Sequence, residues 1–227
     1  MTKEMYTALE QYMHSCMEDS AHDREHIYRV LFNALEIAKQ EENVDMDVLV
    51  TACLLHDIGR KEQFADPSLC HAMVGGDKAY AFLQSQGCDE DFCEKVRHCI
   101  QTHRFRKAMQ PQSMEAKILF DADKLDVTGA MGIARSLMYK AEVAEPLYSK
   151  RPDGTICDGT GEDVPPSFFR EYKFKLEKLY EKFYTKAGCA MAAQRRQIAR
   201  DFYEALYREV NCGYADGQAA LDAWLTK

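Results

Sequence analysis

Val48-Leu49-Val50-Thr51-Ala52-Cys53-Leu54-Leu55-His56-Asp57-Ile58-Gly59-Arg60 is the stretch on which the reading of this chain turns. The run from Val48 to Leu55 is apolar and reads as a buried helix from about Asp47 to His56. Gly59 would end it, because glycine can take the left-handed conformation at a helix C-terminus. His56 and Asp57 then stand side by side at the mouth of that helix. Imidazole nitrogen and carboxylate oxygen together suit borderline or hard divalent cations, whereas packing alone would more comfortably end the helix in a solvated Lys or Gly.

Outward from this stretch the dominant period is helical. Ile27, Val30, Leu31, Ala34, Leu35 and Ala38 recur on one helix face, with His26 at the start of the stripe. Further helices are expected over 71–86, 89–103, 113–125 and 127–143. Pro152, Asp153-Gly154, Gly159, Gly161 and Pro165-Pro166 mark 146–166 as a long loop, either a lid or a plain tether. Two long helices, 167–186 and 191–210, follow as an antiparallel hairpin with apolar faces, and then a short tail carrying Trp224. No alternating strand pattern occurs. The expected fold is all-α, with a helical core over 1–145, the loop over 146–166 and a C-terminal helical extension over 167–227.

Bulk properties narrow the function. The chain of 227 residues has a net charge of −8, which argues against wrapping a nucleic-acid polymer. A local basic pocket for a small anion remains open. Nine cysteines, at 16, 53, 70, 88, 93, 99, 157, 189 and 212, are scattered with no Cys-x-x-Cys spacing, so neither a disulfide framework nor a thiolate zinc site is expected. No stretch approaches the roughly 20 apolar residues of a membrane span, and the first residues lack a signal-peptide core. A cytoplasmic protein is expected, with a homodimer possible through the apolar hairpin and Trp224.

Consecutive helical side chains diverge by about 100°, so His56 and Asp57 share one ion only if it sits between their directions, at the helix end. His26 and Asp123 come from other helices, and three helices would then meet at one ion. Two imidazoles and two carboxylates leave one or two positions for water, as a catalytic site requires.

The order His26, His56-Asp57, Asp123 resembles the HD superfamily of metal-dependent phosphohydrolases. The similarity extends to His22-Asp23-Arg24-Glu25-His26-Ile27-Tyr28-Arg29-Val30, to Leu54-Leu55-His56-Asp57-Ile58-Gly59-Arg60, and to Asp121-Ala122-Asp123-Lys124-Leu125-Asp126 followed by Gly129-Ala130-Met131-Gly132-Ile133-Ala134-Arg135. The last resembles a branch of compact bacterial HD hydrolases. The resemblance implies an HD-domain helical bundle in which His26, His56, Asp57 and Asp123 hold a divalent ion (Mn, Fe, Ni, Zn or Mg). It implies one ion, or two if His71 and His103 also ligate, and hydrolysis of a phosphate ester or nucleotide by an activated water. Asp57 would assist that water.

Arg60, Lys61, Arg104 and Lys124 are the candidate clamp for a phosphorylated small-molecule substrate, with Arg60 and Lys124 neutralising phosphoryl charge. His71 and His103, each near a helix end, are candidates for phosphate or a second ion, whereas His98 reads as a packing or surface residue. Asp126 is placed to orient a ligand histidine. His22 and Asp23 read as a helix cap or as outer support for the ligands, with an i, i+4 pairing of His22 and His26 as the alternative. Arg106 and Lys107 read as solubilising loop residues. Arg60 stands where the deoxynucleotide monophosphatase branch carries an acid, and Glu62 is off that spacing, so a nucleotidase mechanism using that acid is not expected. The Gly-Tyr-Pro signature of cyclic dinucleotide phosphodiesterases is missing. Two other readings stay open: an HD-fold di-iron oxygenase using four histidines and two aspartates, and a metal-stabilised module that binds or senses a ligand without turnover.

Overall fold

The computed structural model describes residues 1–17, 24–104, 109–161 and 164–226. Among these the secondary structure is helical, with no strand and only isolated bridging such as Lys150 with Ile156. The chain divides into two compact units. The first is Met1–Asp126 with Phe183–Cys189, and the second is Val127–Lys182 with Ala190–Lys227.

In the first unit, α1 (Lys3–Cys16) begins where the Thr2 hydroxyl accepts from the Met5 amide. Helix α2 (Arg24–Ala38) buries His26, Ile27, Val30, Leu31, Ala34, Ile37 and Ala38, the expected stripe with Ile37 in place of half-buried Leu35. Helix α3 (Met46–Leu55) is the apolar run itself, capped by Asp45 and buried from Val48 to Leu55 apart from half-buried Val50. It packs against α1, α2, α6 (Glu90–Thr102) and α7 (Met114–Leu125). That burial on every side explains why its sequence shows no polar face.

Gly59 acts otherwise than expected. Its φ is −93°, so it is not a left-handed stop, and it leads directly into a short helix, α4 (Arg60–Ala65). Its role is close approach to α5 (His71–Ser85): a Cβ on Gly59 would lie 2.3 Å from the His71 carbonyl oxygen and 2.6 Å from the Gly75 nitrogen. Only glycine lets the turn after His56-Asp57 lie on the start of α5.

The second unit contains α8 (Gly129–Glu142), α9 (Phe168–Phe174), a 3-10 turn over Leu176–Glu181, and most of α10 (Lys186–Leu225). Phe168, Phe169, Tyr172, Leu176 and Leu179 join Ile133, Ile156, Ala199 and Tyr203 in its core. The continuous helix expected over 167–186 is broken. Lys175 leaves the helical region, and farther on, within the first unit, the amides of Tyr184 and Thr185 donate to the Asp121 carboxylate of α7, at 2.9 and 2.7 Å. Thr185 then caps α10, its Oγ1 accepting from the Gly188 amide. The second expected helix is longer than 191–210 and runs on through Trp224. All nine cysteines are free. Among the described residues no helix is long and apolar enough to cross a membrane.

Candidate metal centre

The ends of five helices, α2, α3, α5, α6 and α7, bring the expected residues together. His56 caps the C-terminus of α3 and His103 that of α6, and each ring turns back on its own helix: Nδ1–H of His56 donates to the Cys53 carbonyl at 2.7 Å, and that of His103 to Ile100 at 2.6 Å. A carbonyl can only accept, so in both rings Nε2 is left as the lone-pair nitrogen. His26, from the first turn of α2, donates from Nδ1 to Oδ2 of Asp126, the C-cap of α7, at 2.7 Å. Arg29, one turn along α2, grips the same carboxylate through Nε (2.7 Å) and Nη2 (3.1 Å).

The Nε2 nitrogens converge. His26 Nε2 lies 3.4 Å from His56 Nε2, 3.4 Å from Asp123 Oδ1 and 3.7 Å from Asp57 Oδ2. On the other side of the same carboxylate, Asp57 Oδ1 lies 3.4 Å from His71 Nε2 and 3.7 Å from His103 Nε2. Two groups result, His26 with His56 and Asp123, and Asp57 with His71 and His103, and within each the donor atoms lie within 4.8 Å of one another. Asp57 faces both. Donors about 2.1 Å from one ion sit about 3.0–3.4 Å apart at the angles of four- to six-coordinate sites, which the shorter of these distances match.

The donor set fits a divalent cation. His71 Nε2 is buried with no hydrogen-bond partner, a costly arrangement unless a cation completes it, and Asp57 Oδ1 beside it is met only by the ion pair with Arg60. Burial holds His103 down at about 3 and His71 at about 2, so both rings are neutral at physiological pH, the form a cation would need. For His26 burial works in the same direction, but hydrogen bonds to Asp123 and Asp126 and the charge of Asp57 overcome it and raise the ring to about 9. A cation entering there displaces a proton. Burial would raise the Asp57 carboxyl, yet Arg60, whose Nε lies 3.0 Å from Oδ1, and the nearby His56 and His26 rings hold it well below the usual carboxylate range.

The basic candidates separate. Arg60 sits on Asp57, and both Arg60 and Arg104 add to the depression of His71, which places their charge on the same side of the centre. Arg104 also donates to Cys70 Sγ. Lys124 is committed to Asp123 at 2.8 Å and lies over the Phe120 ring. Lys61 is exposed on α4. His98 is half-buried on α6, outside both groups. His22, Asp23, Arg106 and Lys107 lie outside the described residues. Two contributors escaped the sequence reading: Arg29, whose spacing from His26 was the available signal, and Gln63, whose Oε1 lies 2.5 Å from His71 Nδ1 and which had none.

Residues 24–128 match the HD domain family. Residues 24–128 are thus an HD domain, and the helical fold with its His/Asp centre is shared with proteins named HD-superfamily hydrolases. Among individual proteins, it is 28% identical over 198 residues to YpgQ of Bacillus subtilis, covering 85% of this chain and 86% of that one. An HD-superfamily hydrolase from Bacillus thuringiensis superimposes with a TM-score of 0.70 at 26% identity, over 92% of this chain and 98% of its own. The crystal structure of YpgQ in complex with ADP gives 0.67 at 26% identity, over 89% and 97%.

Proposed function

We propose that the protein is a metal-dependent phosphohydrolase that cleaves a phosphate ester or nucleotide with an activated water. The observation that carries this reading is the convergence of four imidazole nitrogens with the Asp57 and Asp123 carboxylates, beside the guanidinium of Arg60. A divalent ion held there supplies a Lewis acid and lowers the pKa of a bound water. His26, His56, Asp57 and Asp123 are its holders, with Asp126 fixing the His26 ring. Asp57 is a ligand rather than a base on this reading, because a carboxyl held so low is a poor proton acceptor near neutrality. Arg60 and Arg104 carry the anionic phosphoryl group, while Lys124 is spent on Asp123. The ADP complex of the similar YpgQ supports a small phosphorylated ligand.

Elemental analysis of the purified protein, followed by a panel of phosphomonoesters, phosphodiesters and nucleotides including ADP, tests the proposal. We expect bound divalent metal and turnover that His56→Ala abolishes while the chain stays folded. A metal-loaded protein that cleaves nothing in the panel overturns it. A second reading, a di-iron oxygenase, draws on the two groups sharing Asp57, which together make four histidines and two aspartates. Mössbauer detection of an iron pair with oxygen-dependent turnover would favour it.

A further inference from the structure

His71 is held differently from the other three histidines. His56 and His103 donate to main-chain carbonyls at their own helix ends, and His26 donates to a buried carboxylate. His71 faces instead the side-chain amide of Gln63. The amide is fixed at its other end, where Nε2 donates to the Leu69 carbonyl at 3.1 Å. Oε1 must therefore face the ring. Because that oxygen only accepts, His71 Nδ1 carries the proton and Nε2 is left as a lone pair directed at Asp57 Oδ1, 3.4 Å away. His71 Nε2 has no hydrogen-bond partner, and Asp57 Oδ1 has only its ion pair with Arg60. Two lone pairs facing each other at this distance repel unless a cation lies between them.

Building on the metal-centre reading above, we propose that Gln63 is the positioning residue of a second ion position, formed by Asp57 Oδ1, His71 and His103, which fills after, and more weakly than, the position formed by His26, His56 and Asp123. Three features of the molecule make it the weaker. The acceptor behind His71 is a neutral amide, whereas the one behind His26 is a carboxylate, and a charged partner makes the ring a stronger donor. The Arg60 guanidinium, 3.0 Å from Asp57 Oδ1, competes for the oxygen the ion would use and repels the ion itself. Gln63 stands on the six-residue α4, none of whose side chains is buried, so the His71 ring is braced by a less constrained support than the His56 ring, tied to the end of α3.

The test is titration of the metal-stripped full chain with Mn(II), counting free ion by electron paramagnetic resonance, with the melting temperature recorded alongside. Wild type shows a tight and a weak phase. Gln63→Leu weakens the weak phase about 10- to 100-fold and leaves the tight one unchanged. Gln63→Glu, which keeps an acceptor and adds charge, moves the weak phase in the opposite direction, a result that general structural damage would not give. Nitrogen-15 shifts of the His71 ring report loss of the fixed Nδ1–H tautomer in the leucine variant. The proposal is overturned if wild type binds one ion only, if both phases survive Gln63→Leu unchanged, or if the leucine and glutamate variants weaken the second phase alike. Wild type that binds no Mn(II) at all would instead refute the metal reading beneath it.

Discussion

Asp126→Asn removes one charge and almost no volume, and the structure says what it must do. The Asp126 carboxylate is 2% exposed and accepts from His26 Nδ1 at 2.7 Å through Oδ2, from Arg29 Nε at 2.7 Å through Oδ1, and from Arg29 Nη2 at 3.1 Å through Oδ2. An asparagine has only one acceptor oxygen, so its NH2 must face one of these donors. If it faces His26, the ring gives up its Nδ1 proton and carries one on Nε2, the nitrogen that points at His56, Asp123 and Asp57. If it faces Arg29, a half-buried guanidinium N–H meets another donor. The first outcome blocks ligation, and the second costs about 1–3 kcal/mol of folding free energy. We expect metal affinity to fall about 10- to 100-fold, equivalent to about 1.4–2.7 kcal/mol, with the melting temperature of the metal-free protein also lowered. Isothermal titration of stripped protein with Mn(II) or Zn(II) measures the first effect, and thermal melts in EDTA the second. Wild-type affinity in the variant would refute the claim that Asp126 fixes the His26 tautomer.

Gly59→Ala would set a Cβ 2.3 Å from the His71 carbonyl, so α5 and the turn must part by several tenths of an ångström, costing about 1–3 kcal/mol and loosening His71 from Asp57; an unchanged urea midpoint would contradict this. Metal-free protein should be most stable near pH 6.5. Below that, the unfolded chain takes up protons that His71 and His103, lowered to about 2 and 3, refuse in the fold, and stability is lost as pH falls. Above it, the contribution of His26, raised to about 9, is complete below its unfolded value and lost as pH rises through 9. Melting curves in EDTA from about pH 5 to about pH 9 should trace both arms, and bound metal should flatten the alkaline one, since it removes the His26 proton at every pH. Arg60→Ala should lower kcat/KM for a phosphorylated substrate by about 10²–10³, whereas Lys61→Ala, at an exposed position next to it, should leave kcat/KM nearly unchanged. Equal losses in the two variants would remove the assignment of Arg60.

What the sequence disclosed and what it concealed divide by range. The helices over Met46–Leu55 and Arg24–Ala38 were legible because burial on all sides, or on one stripe, writes itself into local composition. His56 and Asp57 stood out for the same reason, as polar residues closing an apolar run. The bond between His26 and Asp126 joins residues 100 positions apart, and nothing local announces it. The interruption at Tyr184 and Thr185, just before α10, has the same cause. Apolar spacing over 167–186 suits a continuous helix, but the Tyr184 and Thr185 amides are taken by Asp121, more than 60 positions away. Gly59 was noticed and its purpose mistaken, because a glycine needed for close approach and one needed for a left-handed turn look identical in sequence.

The polarity of the helices gives the centre an electrostatic logic that its ligand set alone does not. His56, His103 and Asp126 cap the C-termini of α3, α6 and α7, so three negative dipole ends converge on the region where the imidazole lone pairs and carboxylates meet. His71 opens α5 and His26 lies in the first turn of α2, so these two helices present their positive ends instead, that of α5 on the side where Arg60 and Arg104 add their charge. A cation is favoured where the C-termini point, and an anion where α5 begins. Asp57 lies between the two, with Oδ2 toward His26 and His56 and Oδ1 toward His71 and Arg60. An ion and a phosphoryl group set side by side along this axis each meet a field of the right sign. Reversing Arg60 to glutamate would turn the anionic side negative, strengthening ion binding beside His71 while abolishing phosphate binding. Arg60→Gln, which removes the ion pair with Asp57 Oδ1 without reversing the charge, separates the two causes: a built-in field requires the glutamate variant to bind the ion more tightly than the glutamine one.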